Sequence, residues 1–472
     1  MTKIVFVLII FLAAILRLYA ITSNPPHLYW DEASISYNAY AINATGKDEW
    51  GVRYPLLFKS FGDNKLPFFV YLVVVFQRII GPGDLAVRLP SALAGILTVV
   101  LMYFLIRELI FLTKRKFPET ATCLLGMFFL AISPWHLQFS RAGFEANVAF
   151  LWRVAGVWLF LLAVRRNLNF LFLALICFVA AMYTYHSAAL TAPLVLGLLC
   201  LLFAKKLFSN LKITIFAFLL ALLLLWPYLP AYIFSAQGRI RFNAESVTNM
   251  PGNVMTNFIN NYVSNFSFDF LFFKGDQNGR HSVKTLGELY LWQLPVVLVG
   301  IYFLIRFRSK ASAIIFAWVL FAALPPSLTR VSPHALRNLL AVGGWQLLST
   351  FGLIFLLSYL PKQIRFVIII PIVIFSFLLY LHIYYVHYPK AFAADWQDGQ
   401  RQAMEYLLKI QNDYDRIFVY EYADMSLIIL KKDPLERDLM VAPSWMGTNL
   451  KVEPLREIRN SAGKSMFRLY EY

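Results

Sequence analysis

Ile4 to Ala20 reads IVFVLIIFLAAILRLYA, and shortly after it comes Tyr29-Trp30-Asp31-Glu32-Ala33. The first stretch is apolar and long enough for a membrane helix. No small-residue cleavage signal cleanly precedes the acidic pair, so the segment reads as a retained helix rather than a signal peptide. Two adjacent carboxylates just outside a first transmembrane helix need a reason to be there. General-base chemistry on something delivered by the bilayer supplies one.

The rest of the chain has the same apolar character. Its 472 residues are 59% hydrophobic and only 15% charged, and the mean hydropathy is +0.61. That composition belongs to polytopic membrane proteins. Further spans are expected at 89–111, 120–137, 145–163, 168–185, 188–204, 211–229, 291–306, 311–327, 338–359 and 364–386, about eleven with the first. Lys114-Arg115-Lys116, Arg165-Arg166, Lys205-Lys206, Arg306/Arg308/Lys310 and Lys362/Arg365 fall in the short loops after every second span. If all are cytoplasmic, the N-terminus is inside and the C-terminus outside. The apolar stretch 65–80 must then not cross; it suits a helix lying along the outer interface.

Three regions are left outside: a first loop at 21–88, a middle loop at 230–290, and residues 388–472. The expected architecture is therefore an all-α polytopic membrane domain over 1–387 with outer juxtamembrane helices. A small extracytoplasmic α/β domain follows over 388–472, with a polar helix near Gln397–Lys409 and a strand at Arg416–Tyr420. Ser426–Leu430 and Met466–Tyr470 offer further helix or strand. Cys123, Cys177 and Cys200 all lie in apolar stretches, so no disulfide framework is indicated. The net charge of +17 resides largely in the inside loops, and no nucleic-acid partner is expected.

Cations on the outer side are the informative ones. Lys65, Arg88, Arg141, Arg239, Arg241, Arg280, Arg330 and Arg337 all fall near that face. Each alone is compatible with interfacial snorkelling; as a set they suit an anionic ligand, phosphate foremost. Asp31 and Glu32 head a short amphipathic helix, where acidic residues also favour the helix dipole and Asp31 could serve as a cap. Tyr29 and Trp30 place the pair at the interface and are candidate substrate contacts. Arg141 and Glu145 are four apart and could simply pair; alternatively Arg141 meets an anion and Glu145 a metal or an orienting hydrogen bond. His136, His186, His281 and His334 are isolated, and no Cys/His spacing suggests structural zinc. Tyr185 and His186, in Tyr183-Thr184-Tyr185-His186, suit sugar stacking or an aromatic belt.

These residues carry a resemblance. Tyr29-Trp30-Asp31-Glu32-Ala33, Gly62-Asp63-Asn64-Lys65-Leu66-Pro67, Ala86-Val87-Arg88-Leu89-Pro90-Ser91-Ala92-Leu93, and Ser140-Arg141 followed by Glu145 resemble the GT-C superfamily of glycosyltransferases. Within it they are closest in character to the family of protein O-mannosyltransferases and bacterial lipid A aminoarabinose transferases. The resemblance covers roughly residues 1–200 and becomes one of topology beyond. It implies a GT-C fold, a polyprenyl-monophosphate-linked sugar donor, and inverting transfer to an acceptor hydroxyl on the extracytoplasmic face of the cell membrane. Asp31 takes the place of the catalytic base with Glu32 beside it, and Lys65 contacts the donor phosphate. Arg88 lies at the active site; by their placement on the outer face, rather than by the resemblance, Arg141 and Arg337 are further candidate phosphate contacts. Glu145 stands where relatives commonly have Asp, and Leu66-Pro67 where they often have two prolines. No cofactor is established; a divalent metal ion at Glu145 is the candidate. The acceptor, whether glycan, protein or lipid, is left open. Two rivals remain: an oligosaccharyltransferase-like enzyme using a pyrophosphate lipid, although the C-terminal region has no Trp-Trp-Asp element, and a lipid-sugar transporter or flippase, which would need polar residues in mid-span.

Overall fold

The computed structural model describes residues 2–61, 63–113, 115–414, 416–419, 438–443 and 454–471. The chain opens with α1 (Thr2–Leu18), then α2 (Trp30–Thr45), a short antiparallel ribbon of β1 (Phe58–Ser60) and β2 (Asp63–Lys65), α3 (Pro67–Ile80) and the long α4 (Asp84–Leu112). α3 has 14 residues, about 21 Å at 1.5 Å per residue, against a hydrocarbon core of about 30 Å. That falls short of the core, but so do the 15-residue helices Phe170–Thr184, Leu211–Leu225 and Gln293–Phe307, and the loop-charge pattern rather than length is what sets α3 apart. Its Phe69, Val70, Val73 and Val74 pack against Ile35, Ala39 and Ile42 of α2, so the two helices form a platform.

The expected 120–137 span is broken. α5 (Glu119–Ile132) and α6 (Pro134–Ser140) meet at 58°. Ser133 Oγ accepts the amide of His136 at 3.4 Å, and Pro134 brings no N–H of its own, so a new helix starts there. Every residue of α6 is buried. Two fully buried arginines fix the bend against α1. Arg17 donates to the carbonyls of Ala13, Ala131 and Leu130 and approaches His136 Nδ1 at 2.9 Å. Arg141 donates to the carbonyls of Leu16, Tyr19 and Asn24 at 2.6–2.9 Å, satisfying groups at the end of α1 where the dipole favours a cation.

Helices follow at all the remaining expected positions: α7 (Glu145–Arg165), α8 (Phe170–Thr184), α9 (His186–Leu202), then Leu211–Leu225, Gln293–Phe307, Lys310–Ala322, Val342–Leu357 and Ile370–His382. α7 packs on α4, and Arg165 Nη2 donates to Glu108 Oε1 at 2.7 Å. Helix Gln293–Phe307 lies close against Val342–Leu357. A Cβ on Gly352 would meet the Val296 carbonyl at 2.1 Å, the close approach that small residues permit between apolar helices. Among the described residues five helices are long and apolar enough to span by themselves, or six if the bent α5–α6 pair counts as one. The others expected to span have 15 to 17 residues.

Past the last long helix, Tyr380, Tyr384 and Tyr388 stack with ring centroids 5.5 and 5.1 Å apart. Tyr388 Oη accepts from Trp396 Nε1 at 2.8 Å and Gln138 Nε2 at 2.5 Å, and donates to the Gly279 carbonyl at 2.8 Å. This tether anchors the C-terminal segment to α6. Helix Gln400–Ile410 then buries Ala403 and Leu407 against Leu439, Val441, Ile458, Phe467 and Leu469. The four-stranded sheet runs β3 (Arg416–Val419), β4 (Asp438–Pro443), β6 (Ser465–Glu471), β5 (Arg456–Arg459), with β3 parallel to β4 and the other pairs antiparallel. The expected helix, first strand and last strand are thus present; Ser426–Leu430 lies outside the described residues.

Single-cysteine labelling with a membrane-impermeant reagent reads the sidedness directly. Cysteines at exposed Lys116 and exposed Asn260 are expected to label from opposite faces. Labelling from the same face would refute the charge-based topology.

Candidate active site

The two adjacent carboxylates of α2 have separate fates. Glu32 and Arg88 form an ion pair with no exposed side-chain surface on either partner. Arg88 donates from all five N–H groups: Nε to Glu32 Oε1 at 3.0 Å, Nη2 to Glu32 Oε2 at 3.2 Å and to the His27 carbonyl at 2.6 Å, and Nη1 to the carbonyls of Ile21 and Pro25 at 2.9 and 2.7 Å. Glu32 also accepts the amides of Gly143 at 2.7 Å and Tyr29 at 3.3 Å. A Cβ on Gly143 would meet Val87 Cγ1 at 2.7 Å, so the turn before α7 can approach Glu32 only as glycine. The pair ties the α1–α2 loop, α2, α4 and the α6–α7 turn at one point.

This geometry bears on four expected site residues. Arg88 has no donor left for a phosphate, and Glu32 is sealed away from any acceptor. Arg141 directs both Nη groups to the carbonyls at the end of α1 and lies over the rings of Tyr384 and Tyr385 at 5.5 and 5.1 Å, with its buried Nε left without a hydrogen-bond partner. Tyr29 is a core residue, 2% exposed, with its ring against Phe144 and Trp396, and so is not a surface contact for substrate. Trp30 stays at the surface, 38% exposed.

Asp31 points elsewhere. Its Oδ1 lies 2.5 Å from Lys65 Nζ, with the Asp31 side chain 28% exposed and that of Lys65 7%. Lys65 ends β2, so the hairpin carries the cation to the start of α2. Asp31 and Glu145 both act on the neighbouring Tyr29. Burial first, then the charges of Asp31, Glu145 and Glu32, push its phenol well above the ordinary value, while Arg280 works the other way. The Arg280 guanidinium lies over Tyr29 and Trp30, 5.1 and 5.5 Å from their ring centres. Arg280 counted among the outer cations, but nothing in the sequence assigned it to this acidic corner.

On the far side of β2 a cleft of about 300 Å³ is lined by Tyr185, His186, Tyr232, Glu245, Thr329 and Arg337, among others. Three expected site residues, Tyr185, His186 and Arg337, therefore share one wall system. His186 Nε2 approaches the Asn64 carbonyl at 3.2 Å, and Asn64 Nδ2 donates to the Gln237 carbonyl at 2.6 Å, which joins the cleft wall to the residue preceding Lys65. Arg337 Nη2 donates to Glu245 Oε2 at 2.9 Å. Its Nη1 is buried without a hydrogen-bond partner, an arrangement that an anion in the cleft would complete. Glu145 heads α7. Among the described residues the cluster with metal-ligand spacing is Asp276, His281 and His334, and Glu145 is not part of it.

Residues 64–230 match the sequence family described as dolichyl-phosphate-mannose-protein mannosyltransferase. No curated protein sequence matches the chain. Among solved structures, ArnT from Cupriavidus metallidurans bound to undecaprenyl phosphate superimposes with a TM-score of 0.62 at 12% identity, over 98% of this chain and 97% of that one. The oligosaccharyltransferase of Archaeoglobus fulgidus in its apo form gives 0.52 at 14% identity over 84% of this chain; the match spans only 56% of the archaeal protein's length. The chain thus has the GT-C fold and resembles the mannosyltransferase and ArnT families.

Glu32→Gln is expected to strand the buried Arg88 charge and cost about 3–5 kcal/mol. The checks are the thermal midpoint and the monodisperse yield in detergent, and both should fall. An unchanged midpoint with turnover abolished would instead place Glu32 in the chemistry.

Proposed function

We propose that the protein is an inverting glycosyltransferase that moves a sugar from a polyprenyl-monophosphate donor to an acceptor hydroxyl on the extracytoplasmic face of the membrane. The observation that carries this reading is the Asp31–Lys65 contact at 2.5 Å. A partly exposed carboxylate able to take a proton and a nearly buried cation able to hold a phosphate stand side by side in an otherwise apolar protein.

The roles follow from charge. The donor phosphate displaces Asp31 from Lys65, because a phosphate brings more negative charge and more acceptor oxygens than a carboxylate. Arg337, across the cleft, offers its unpaired Nη1 to the same phosphate or to the sugar. Asp31, freed, accepts the proton of the acceptor hydroxyl as that oxygen attacks the anomeric carbon. The bond to the phosphate oxygen breaks on the opposite face, which inverts the centre. Charge gathers on the departing lipid phosphate, where Lys65 and Arg337 offset it. Phosphate leaves readily, so the scheme needs no general acid. Glu32, Arg88 and Arg141 act as positioning residues, holding α2 and the loop before it. Tyr185 and His186 border the sugar. Glu145, close enough to act on Tyr29, shares the acidic corner with Asp31.

Eleven spans with an inside N-terminus and an outside C-terminus complete the proposal. They put Asp31 and Lys65 at the outer leaflet, where a polyprenyl chain can lie in the bilayer while its headgroup reaches the cleft. The acceptor hydroxyl is carried on a glycan, a protein or a lipid.

Asp31→Asn is expected to lower transfer by at least about 10²-fold, the contribution typical of proton abstraction, while the fold is kept. Mass spectrometry of cell-surface glycans, lipids and proteins from strains with and without the substitution would find the product. Identical profiles would reject glycosyl transfer. Lys65→Met is expected to weaken binding of polyprenyl monophosphate; unchanged affinity would leave Lys65 as an interfacial residue only.

A further inference from the structure

Two loops outside the glycosyl-transfer roles meet through three side chains. Asp276 and His281 belong to the loop 275–292, and His334 to the loop 328–338 that leads into helix Val342–Leu357. Asp276 Oδ2 lies 3.1 Å from His281 Nδ1 and 3.8 Å from His334 Nδ1, and all three side chains are largely buried. One ligand atom from each residue falls within 4.8 Å of the other two. Zinc–nitrogen and zinc–oxygen bonds of about 2.0–2.2 Å in a tetrahedral array set ligand atoms roughly 3.3–3.6 Å apart. The widest separation has to shorten by roughly 1.2–1.5 Å to close the site.

We propose that Asp276, His281 and His334 bind one divalent transition-metal ion of the zinc class, which clamps the loop 275–292 to the loop 328–338. Two imidazoles and a carboxylate are the donor set that borderline ions take. The carboxylate is already oriented by its surroundings: Asp276 Oδ1 accepts the Asn278 amide at 2.8 Å, and Oδ2 accepts the Ala335 amide at 2.6 Å. Such outer hydrogen bonds fix ligands around a metal.

Three protein ligands leave a fourth position. Asp276 and His334 line a cleft of about 830 Å³, with Lys274, Arg280 and Asp395 on its other walls. Of the two cations there, Lys274 pairs at 2.7 Å with Asp269, which lines the same cleft, and Arg280 lies over Tyr29 and Trp30 with its Nε buried and without a hydrogen-bond partner. Behind Asp276, Glu288 Oε1 accepts the Asp276 amide at 3.0 Å. The open position therefore faces the cleft, where water or an oxygen of a ligand completes the ion. The clamp acts on the segment carrying Arg337, three residues beyond His334, and so stiffens the wall of the neighbouring cleft.

The test uses the full chain in detergent. His382 and His387, whose Nε2 atoms approach to 3.1 Å, are first replaced (H382Q, H387Q) so that they supply no competing site. The protein is stripped with chelator, re-equilibrated with Zn²⁺ or Co²⁺, desalted and assayed by mass spectrometry of the metal. The expected result is one ion per chain in this background and under one-tenth of that after His281→Gln or His334→Gln. If either variant is not monodisperse, pulsed electron paramagnetic resonance on the Cu²⁺-loaded background replaces it, and two coordinated imidazoles are expected. No retained ion, equal retention in the variants, or fewer than two coupled imidazoles would overturn the proposal and leave a hydrogen-bonded Asp–His pair.

Discussion

The arrangement of the site depends on one ion pair, Glu32 with Arg88, removed entirely from solvent. Burying two charges costs several kcal/mol each unless geometry and additional hydrogen bonds compensate. Here they do: the guanidinium is fully engaged and the carboxylate takes two amides besides. Because the partners come from four separate segments, none can move without leaving a buried charge unmatched. Consecutive residues of a helix point about 100° apart. Fixing Glu32 inward therefore sets Asp31 outward, toward the hairpin that carries Lys65. The acidic doublet divides its labour by helical geometry alone.

The second constraint is the hairpin. Lys65 is almost buried, yet its charge meets a partly exposed carboxylate rather than another backbone. Asn64, one residue before it, is held by the Gln237 carbonyl and by His186. A ligand that fills the cleft beside His186 and Arg337 therefore presses on the strand that positions Lys65. In the proposed reaction the resting pair has to open, since the attacking oxygen and the leaving phosphate lie on opposite faces of one carbon. Arg337, with one donor paired to Glu245 and one unpaired, is poised as the second cation.

Much of this was legible in the sequence. The motif around Asp31, the platform helix at 67–80 and a helix at every expected span are read from hydropathy and charge placement. The mannosyltransferase-family match over 64–230 agrees with the resemblance. What sequence reasoning misassigned has a common physical cause. Arg88 and Arg141 look like ligands for an outside anion, but their partners are mostly backbone carbonyls, which carry no sequence signature. Tyr29 looks interfacial because aromatic residues gather there, and only packing against Phe144 and Trp396 shows it to be core. The break at Ser133-Pro134 was visible in those two residues, yet hydropathy averaged over it. Asp276, His281 and His334 are far apart along the chain, and no spacing rule would have joined them.

Binding of polyprenyl monophosphate to the Asp31→Asn protein tests the resting ion pair most directly. Asp31 competes with the ligand for Lys65, so removing its charge while keeping its shape should tighten phosphate binding relative to wild type, measured by calorimetry in detergent. Affinity that is unchanged or weaker would mean that the carboxylate does not guard the phosphate site, and the account of Lys65 exchanging one anion for another would be contradicted.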